Sequence, residues 1–300
     1  MFTITYSRNA DFPTLIVGAE DWPLYQDYWG LQEKPFENTP DPRFFYRSPA
    51  TTETFAKLLY ALRSNQGGIL LTGESGCGKT MLSRSLVNEL DPDKTEVALL
   101  TSPSPTPTQL LREILYQVGE TQLDEDHTEI VHRLNGRLYD NFSLGKTTVV
   151  IIDEGQLLED AKLTDELVAK LFEEIRLLLN FQLNDAFLIT LLLIGQPELG
   201  ERIRNLPQLD DRLSARGLLR PLERRDVGAY INHRMGIAGR TDPVFTPEAI
   251  ELISQYSGGI PRRLNYVCDL CLVLGYSQQV SQIDEKLAYR IILDEEDSRV

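Results

Sequence analysis

Residues 70–82 read LLTGESGCGKTML. Gly73, Gly78, Lys79 and Thr80 in that stretch fit the spacing G-x-x-x-x-G-K-[ST]. The order has a physical reason. A tight, glycine-rich turn lets successive backbone N–H groups converge on an anion. A helix opening at Lys79 adds its positive N-terminal end. The lysine then reaches the outer phosphates of a nucleotide, and the Thr80 hydroxyl is a ligand for Mg²⁺. The residues expected to hold ATP are therefore Gly73, Glu74, Ser75, Gly76, Cys77, Gly78, Lys79, Thr80 and Met81. A thiol at a helix N-terminus can be activated, yet Cys77 reads more simply as a small loop residue without chemistry.

Further along, VVIIDE places four apolar residues before Asp153 and Glu154. On a buried strand this sets Asp153 at the carboxyl end as a second Mg²⁺ ligand. Glu154 follows as the base that polarises the attacking water. The run LLLIGQPEL ends a third strand at Gln196. Ligands of parallel sheets bind beyond the carboxyl ends of strands, so Gln196 is a candidate contact to the γ-phosphate or the water, with a helix cap as the plain alternative. Cys268 and Cys271 form C-x-x-C, but no second pair accompanies them, and His127, His132 and His233 lack metal-ligand spacing. Two core thiols on one helix face is the favoured reading.

Arginines gather at 202, 204, 212, 216, 220, 224, 225 and 234, uneven in a chain of net charge −15. They are either surface cations paired with neighbouring acids or a subunit face presenting a finger arginine to a neighbour's nucleotide. Arg262, in GGIPRRLN, falls in the first turn of a helix, where a cation opposes the dipole. That placement points to an anionic partner such as the bound nucleotide.

These residues need a scaffold. The apolar runs GGILLTG, EVALLT, TTVVIIDE and FLITLLLIG read as strands, and each is separated from the next by helical periodicity. TTETFAKLLYALRSNQ, after a threonine cap, is the helix before the phosphate loop. Strands alternating with helices predict an α/β fold with a parallel P-loop sheet. After Leu222 only helical patterns follow, predicting a small all-α lid. The expected division is an N-terminal extension over 1–45, an α/β nucleotide domain over 46–222 and a helical lid over 223–300. The extension is irregular, but its aromatics suggest that it packs on something.

Taken together the motifs resemble the AAA+ ATPases. GESGCGKT, VVIIDE, DDRL and GIPRR stand where that superfamily has its P-loop, second nucleotide strand, finger region and sensor-2 motif. YWGLQEKPFENTPDPRFFYRSP, EEIRLLLNF, LLIGQPEL and GGIPRRLN are similar to its ExeA-like branch, the general secretion pathway protein A family, from about residue 28 to about residue 276. The resemblance implies an ATPase that assembles or moves secretion machinery with an envelope-associated partner. By position it implies Gln196 as sensor 1, Arg212 as the finger with Arg216 the alternative, and Arg262 as sensor 2. It also implies a homo-oligomer, ring or filament, because such a finger completes a neighbour's site.

Composition limits the rest. Three cysteines, an odd number, argue against a disulfide framework and for a reducing compartment. The N-terminus carries no signal pattern and the longest apolar run is too short to span a bilayer, so a cytoplasmic protein without its own membrane span is expected. The rival reading is a DNA-associated AAA+ ATPase regulating transposition. The net charge of −15 weighs against nucleic acid, and the arginine stretch favours it.

Overall fold

The computed structural model describes residues 24–102, 106–121, 125–159, 163–184 and 186–297. Most of the expected N-terminal extension, residues 1–23, and the last three residues of the acidic tail lie outside them. The chain runs through α1 (Leu24–Trp29), α2 (Pro49–Arg63), β1 (Gly68–Gly73), α3 (Lys79–Asn88), β2 (Thr95–Leu100), α4 (Pro107–Gln117) and α5 (His127–Ser143). It continues through β3 (Thr147–Ile152), α6 (Asp165–Leu178), β4 (Ile189–Gly195), α7 (Pro197–Arg204), the one-turn α8 (Pro207–Asp210) and β5 (Leu213–Leu219). Four helices close it: α9 (Arg224–Ile237), α10 (Pro247–Ser257), α11 (Pro261–Ser277) and α12 (Glu285–Asp297).

Two compact units result. One is Pro40–Arg220; the other joins the described parts of Met1–Thr39 to those of Pro221–Val300. The first holds a five-stranded sheet in the order β2-β3-β4-β1-β5, every pairing parallel. Its central strands are apolar throughout because both faces are covered. Val150, Ile152, Leu191 and Leu193 face a core shared with α4, α5 and α6, while Val149, Ile151, Leu192 and Ile194 face one shared with α2 and α3. The expected parallel α/β sheet is present. A fifth strand joins it that no apolar run announced: LSARGLL is buried only at alternate positions, as an edge strand with one covered face is. The helix before the phosphate loop starts earlier than its threonines suggested. Ser48 is the cap, accepting from the Thr51 N–H, with Pro49 at the first helical position.

In the second unit, residues 24–39 wrap onto the closing helices. Trp29 donates its indole N–H to the Leu272 carbonyl at 2.9 Å, and the Tyr28 hydroxyl donates to the Val280 carbonyl at 2.7 Å. The guanidinium of Arg234 donates to the carbonyls of Pro35 at 2.5 Å and Glu37 at 2.9 Å. Tyr28 and Trp29 thus pack on the closing helices. Cys268 and Cys271 are buried free thiols in α11, held well above their ordinary pKa by desolvation. They are core residues, as the sequence favoured. Among the described residues no helix is long and apolar enough to cross a membrane.

Candidate functional site

The strand order puts β3, β4 and β1 side by side, so their carboxyl ends open at one edge of the sheet. Each delivers part of the site. From β1 the chain enters the loop at residues 74–78 and turns into α3. Gly78, the residue before the helix, sits at φ 96°. That conformation is easy for glycine and strained for any side chain.

Lys79 follows at 6 % exposure. Its ammonium donates to the carbonyls of Gly73 at 2.8 Å and Glu74 at 3.1 Å, five and six residues back in its own loop. A buried cation is tolerated because it is hydrogen-bonded. Glu74 and Ser75 are exposed at the loop's tip, and Gly76 and Met81 are half-buried. Cys77 points into the core shared by α2 and α3. Burial, and then the charge of Glu74, push its thiol up in pKa, against the pull of Lys79. The plain reading of Cys77 as a packing residue therefore fits better than an activated thiol.

Asp153 stands at the end of β3, 2 % exposed. It accepts the Thr80 hydroxyl on Oδ2 at 2.6 Å and the Glu154 N–H on Oδ1 at 2.8 Å. Desolvation raises its carboxyl above the ordinary range, and those two hydrogen bonds recover only part of the shift. A hydroxyl and a carboxylate side by side form an all-oxygen donor set, which suits a hard cation such as Mg²⁺. Among the described residues no group of three or more His, Cys, Asp or Glu could hold a metal by itself. A Mg²⁺ held by one or two protein oxygens with phosphates and water needs no such group.

Glu154 takes a left-handed backbone, φ 53°. For a non-glycine residue this costs roughly 1–2 kcal/mol. Its carboxylate accepts a hydrogen bond from the side-chain amide of Gln156. The other end of that amide, Oε1, accepts the backbone N–H of Gln196 at 3.1 Å. Gln196 occupies the N-cap position of α7 but makes no side-chain cap bond, so its amide is not committed as a cap. Gln156 escaped the sequence reading; the only available signal was a polar residue two places after Glu154.

The structure brings together the loop residues 73–81, Asp153, Glu154 and Gln196. Arg212 lies at the other end of the sheet. Its carbonyl accepts the N–H of Gly68, the first residue of β1, and its guanidinium donates to the Leu179 carbonyl at 3.3 Å. The five steps of β1 separate it from Gly73 by roughly 16 Å, longer than an arginine side chain. There it lines a cavity of about 650 Å³ with Asn65, Gln182, Asp211 and Ser214. Arg216 is engaged with Asp210, 2.6 Å to its carboxylate. Arg224 and Arg225 pair with Glu251 and Glu223. Three of the eight arginines, Arg216, Arg224 and Arg225, thus fit the acid-paired surface that was one of the two readings. Arg262 is exposed in the first turn of α11, in the other unit.

The chain is similar to known proteins in family and in fold. Residues 62–203 match the family described as AAA domain. General secretion pathway protein A of Aeromonas hydrophila is 38% identical over 261 residues, which are 85% of this chain and 45% of that protein. The chain therefore spans less than half of that relative's length. Among solved structures, the Aeropyrum pernix ORC2 protein superposes with a TM-score of 0.65 at 19% identity, over 87% of this chain and 71% of that one. Drosophila ORC bound to DNA gives a TM-score of 0.60 at 16% identity, over 97% and 70%. At such identity these last two likenesses speak for the fold alone.

Proposed function

The chain belongs to the ExeA-like family of AAA+ proteins, and from that premise we propose that it binds ATP with Mg²⁺ and hydrolyses it to assemble or remodel a secretion-type or cell-envelope complex. One observation supports the reading above all. The buried ammonium of Lys79, the Thr80–Asp153 contact at 2.6 Å and Glu154 meet at the carboxyl ends of β1 and β3, the two strands that flank β4. Lys79 and the loop N–H groups bind the phosphates. Thr80 and Asp153 hold Mg²⁺, which supplies charge neutralisation at the phosphate oxygens. Glu154 accepts the proton of the attacking water, and Gln196 orients that water or the γ-phosphate. The α/β domain over 46–222 supplies this machinery; Arg262, in the helical region over 223–300, is a further proposed nucleotide-binding residue.

Arg212 stands too far from its own loop to serve it, so in this reading it completes the site of a neighbouring copy. Head-to-tail contacts of that kind close into rings or run on as filaments. The partner reading rests on the name of the Aeromonas relative and places the ATPase at the cytoplasmic face of an envelope complex. Phosphate release from Mg·ATP tests the chemistry. Glu154→Gln should still bind nucleotide while turnover falls on the order of 10²-fold or more; turnover at the wild-type rate would sink the assignment. Arg212→Ala should keep its affinity and lose turnover, and mixing it with Glu154→Gln protein should restore some activity. Full activity in a strictly monomeric preparation would refute the shared site. Sub-micromolar binding of labelled duplex at near-physiological salt would replace the envelope partner with DNA.

A further inference from the structure

Two groups with opposite needs face each other across the ends of β3 and β4. The Glu154 carboxylate can only accept hydrogen bonds and the backbone N–H of Gln196 can only donate. The Gln156 side chain lies between them with its NH₂ on Glu154 and its Oε1 on Gln196. Only one orientation of the amide satisfies both contacts, so its assignment follows from the chemistry. The approach that permits this is close. A Cβ on Gly195 would stand 2.5 Å from Leu199 Cδ2 and 3.2 Å from Gln156 Oε1, and one on Gly155 would stand 2.8 Å from the same Leu199 methyl. Glycine at both places lets α7 and the turn after β3 press together until a single glutamine spans the gap. The backbone on the Glu154 side is fixed as well: its N–H is held by Asp153 Oδ1, and its carbonyl accepts the Leu157 N–H at 2.8 Å.

We propose that Gln156 is a positioning residue for hydrolysis, an amide tether that fixes the Glu154 carboxylate and ties it to the strand end carrying Gln196. This rests on Glu154 acting as the base. The base and the residue after β4 then form one unit, and a shift of the β4–α7 junction is felt at Glu154. An aspartate or leucine at 156 cannot do this, because neither offers a donor and an acceptor on one branch.

The test is single-turnover hydrolysis of radiolabelled Mg·ATP, with equilibrium binding of a non-hydrolysable ATP analogue measured on the same preparations. Gln156→Leu should slow hydrolysis about tenfold to a hundredfold, the scale of one hydrogen bond to a charged group. Analogue affinity should stay within about twofold. In the Glu154→Gln background the same substitution should slow the residual reaction no further, since the group it positions is gone. Gln156→Glu, equal in size but without the donor, should be at least as slow as Gln156→Leu, and it decides the matter if the leucine variant fails to bind the analogue. A wild-type rate in either variant would overturn the tether. So would equal losses in the two backgrounds, because a merely structural glutamine would damage both alike. Absence of turnover by the unmodified protein would remove the ATPase reading itself, and the tether with it; a normal wild-type rate beside an unaffected Gln156→Leu removes the tether alone.

Discussion

Among the described residues each unit of the molecule buries one cation, and the two are held differently. Lys79 and Arg234 are 6 % and 3 % exposed, and both donate to backbone carbonyls. The carbonyls held by Lys79 are five and six residues away, in the loop that it ends. Those held by Arg234 are 197 and 199 residues away, and the same guanidinium also donates to the Tyr230 hydroxyl at 3.1 Å. An ammonium is a compact charge with rotatable donors; a guanidinium is a planar fork with fixed ones. A lysine bonded within its own loop can exchange those partners for phosphate without undoing long-range structure. An arginine that joins distant segments cannot exchange its partners without releasing them. With Lys79 binding phosphate as proposed, the sequence separation of the partners distinguishes the charge that serves function from the one that serves the fold.

Reciprocal substitutions can break that comparison, and the largest effects are expected here. Lys79→Ala should lower ATP affinity on the order of 100-fold or more, since it removes the phosphate-binding charge from a desolvated loop. The melting temperature without nucleotide should hardly move. Arg234→Met should do the reverse. It leaves the Pro35 and Glu37 carbonyls buried without their donor, a loss of about 2–4 kcal/mol, while the folded fraction keeps its nucleotide affinity. Thermal denaturation with and without ATP reads both effects at once. An Arg234→Met protein of unchanged stability and lost affinity would refute the assignment of roles.

The same contrast decides what could be read before any coordinates. The phosphate loop is contiguous, and its chemistry demands particular residues at particular spacings, so its place between β1 and α3 was legible in full. Asp153, Glu154 and Gln196 were legible because each ends an apolar run, and the ends of adjacent parallel strands meet by geometry. The strand β5 was not, because Ser214, Arg216 and Leu218 occupy its open face and an alternating edge strand with a central glycine resembles a loop. The cap of α2 was misplaced by a few residues because serine and threonine compete for one role. Gln156 was invisible for a different reason: its meaning lies in Gln196, 40 residues on. The wrapping of residues 24–39 announced itself as aromatic content but not as a destination, since Trp29 finds its partner 243 residues later.

A smaller effect sharpens the comparison through the carboxylates. Asp153 and Asp269 are each desolvated, and each has a pKa raised above the ordinary range. Each also accepts one side-chain hydroxyl, from Thr80 and from Tyr25. For Asp269 the Tyr25 hydroxyl and the charge of Lys34 oppose the rise and Glu37 adds to it. An acid whose pKa is raised on folding contributes most to stability below its unfolded pKa and loses that contribution as pH rises through the folded value. Both carboxylates therefore weigh against the fold near neutral pH, and both effects should fade on acidification. Asparagine separates them. At 269 one amide oxygen can still accept the Tyr25 hydroxyl, so Asp269→Asn should raise stability at pH 7 and flatten its fall between acid and neutral pH. The gain should be on the order of half a kcal/mol, because solvent still reaches a half-buried group. At 153 both oxygens already accept, one from Thr80 and one from the Glu154 N–H. An amide there keeps the Glu154 N–H on its oxygen and turns its NH₂ to the Thr80 hydroxyl, which must then accept instead of donate, so Asp153→Asn should gain less stability than Asp269→Asn while losing Mg²⁺-dependent turnover. Urea unfolding at pH 4.5 and pH 7 measures the difference, and an equal gain in both variants would show that the functional carboxylate is no more committed than the structural one.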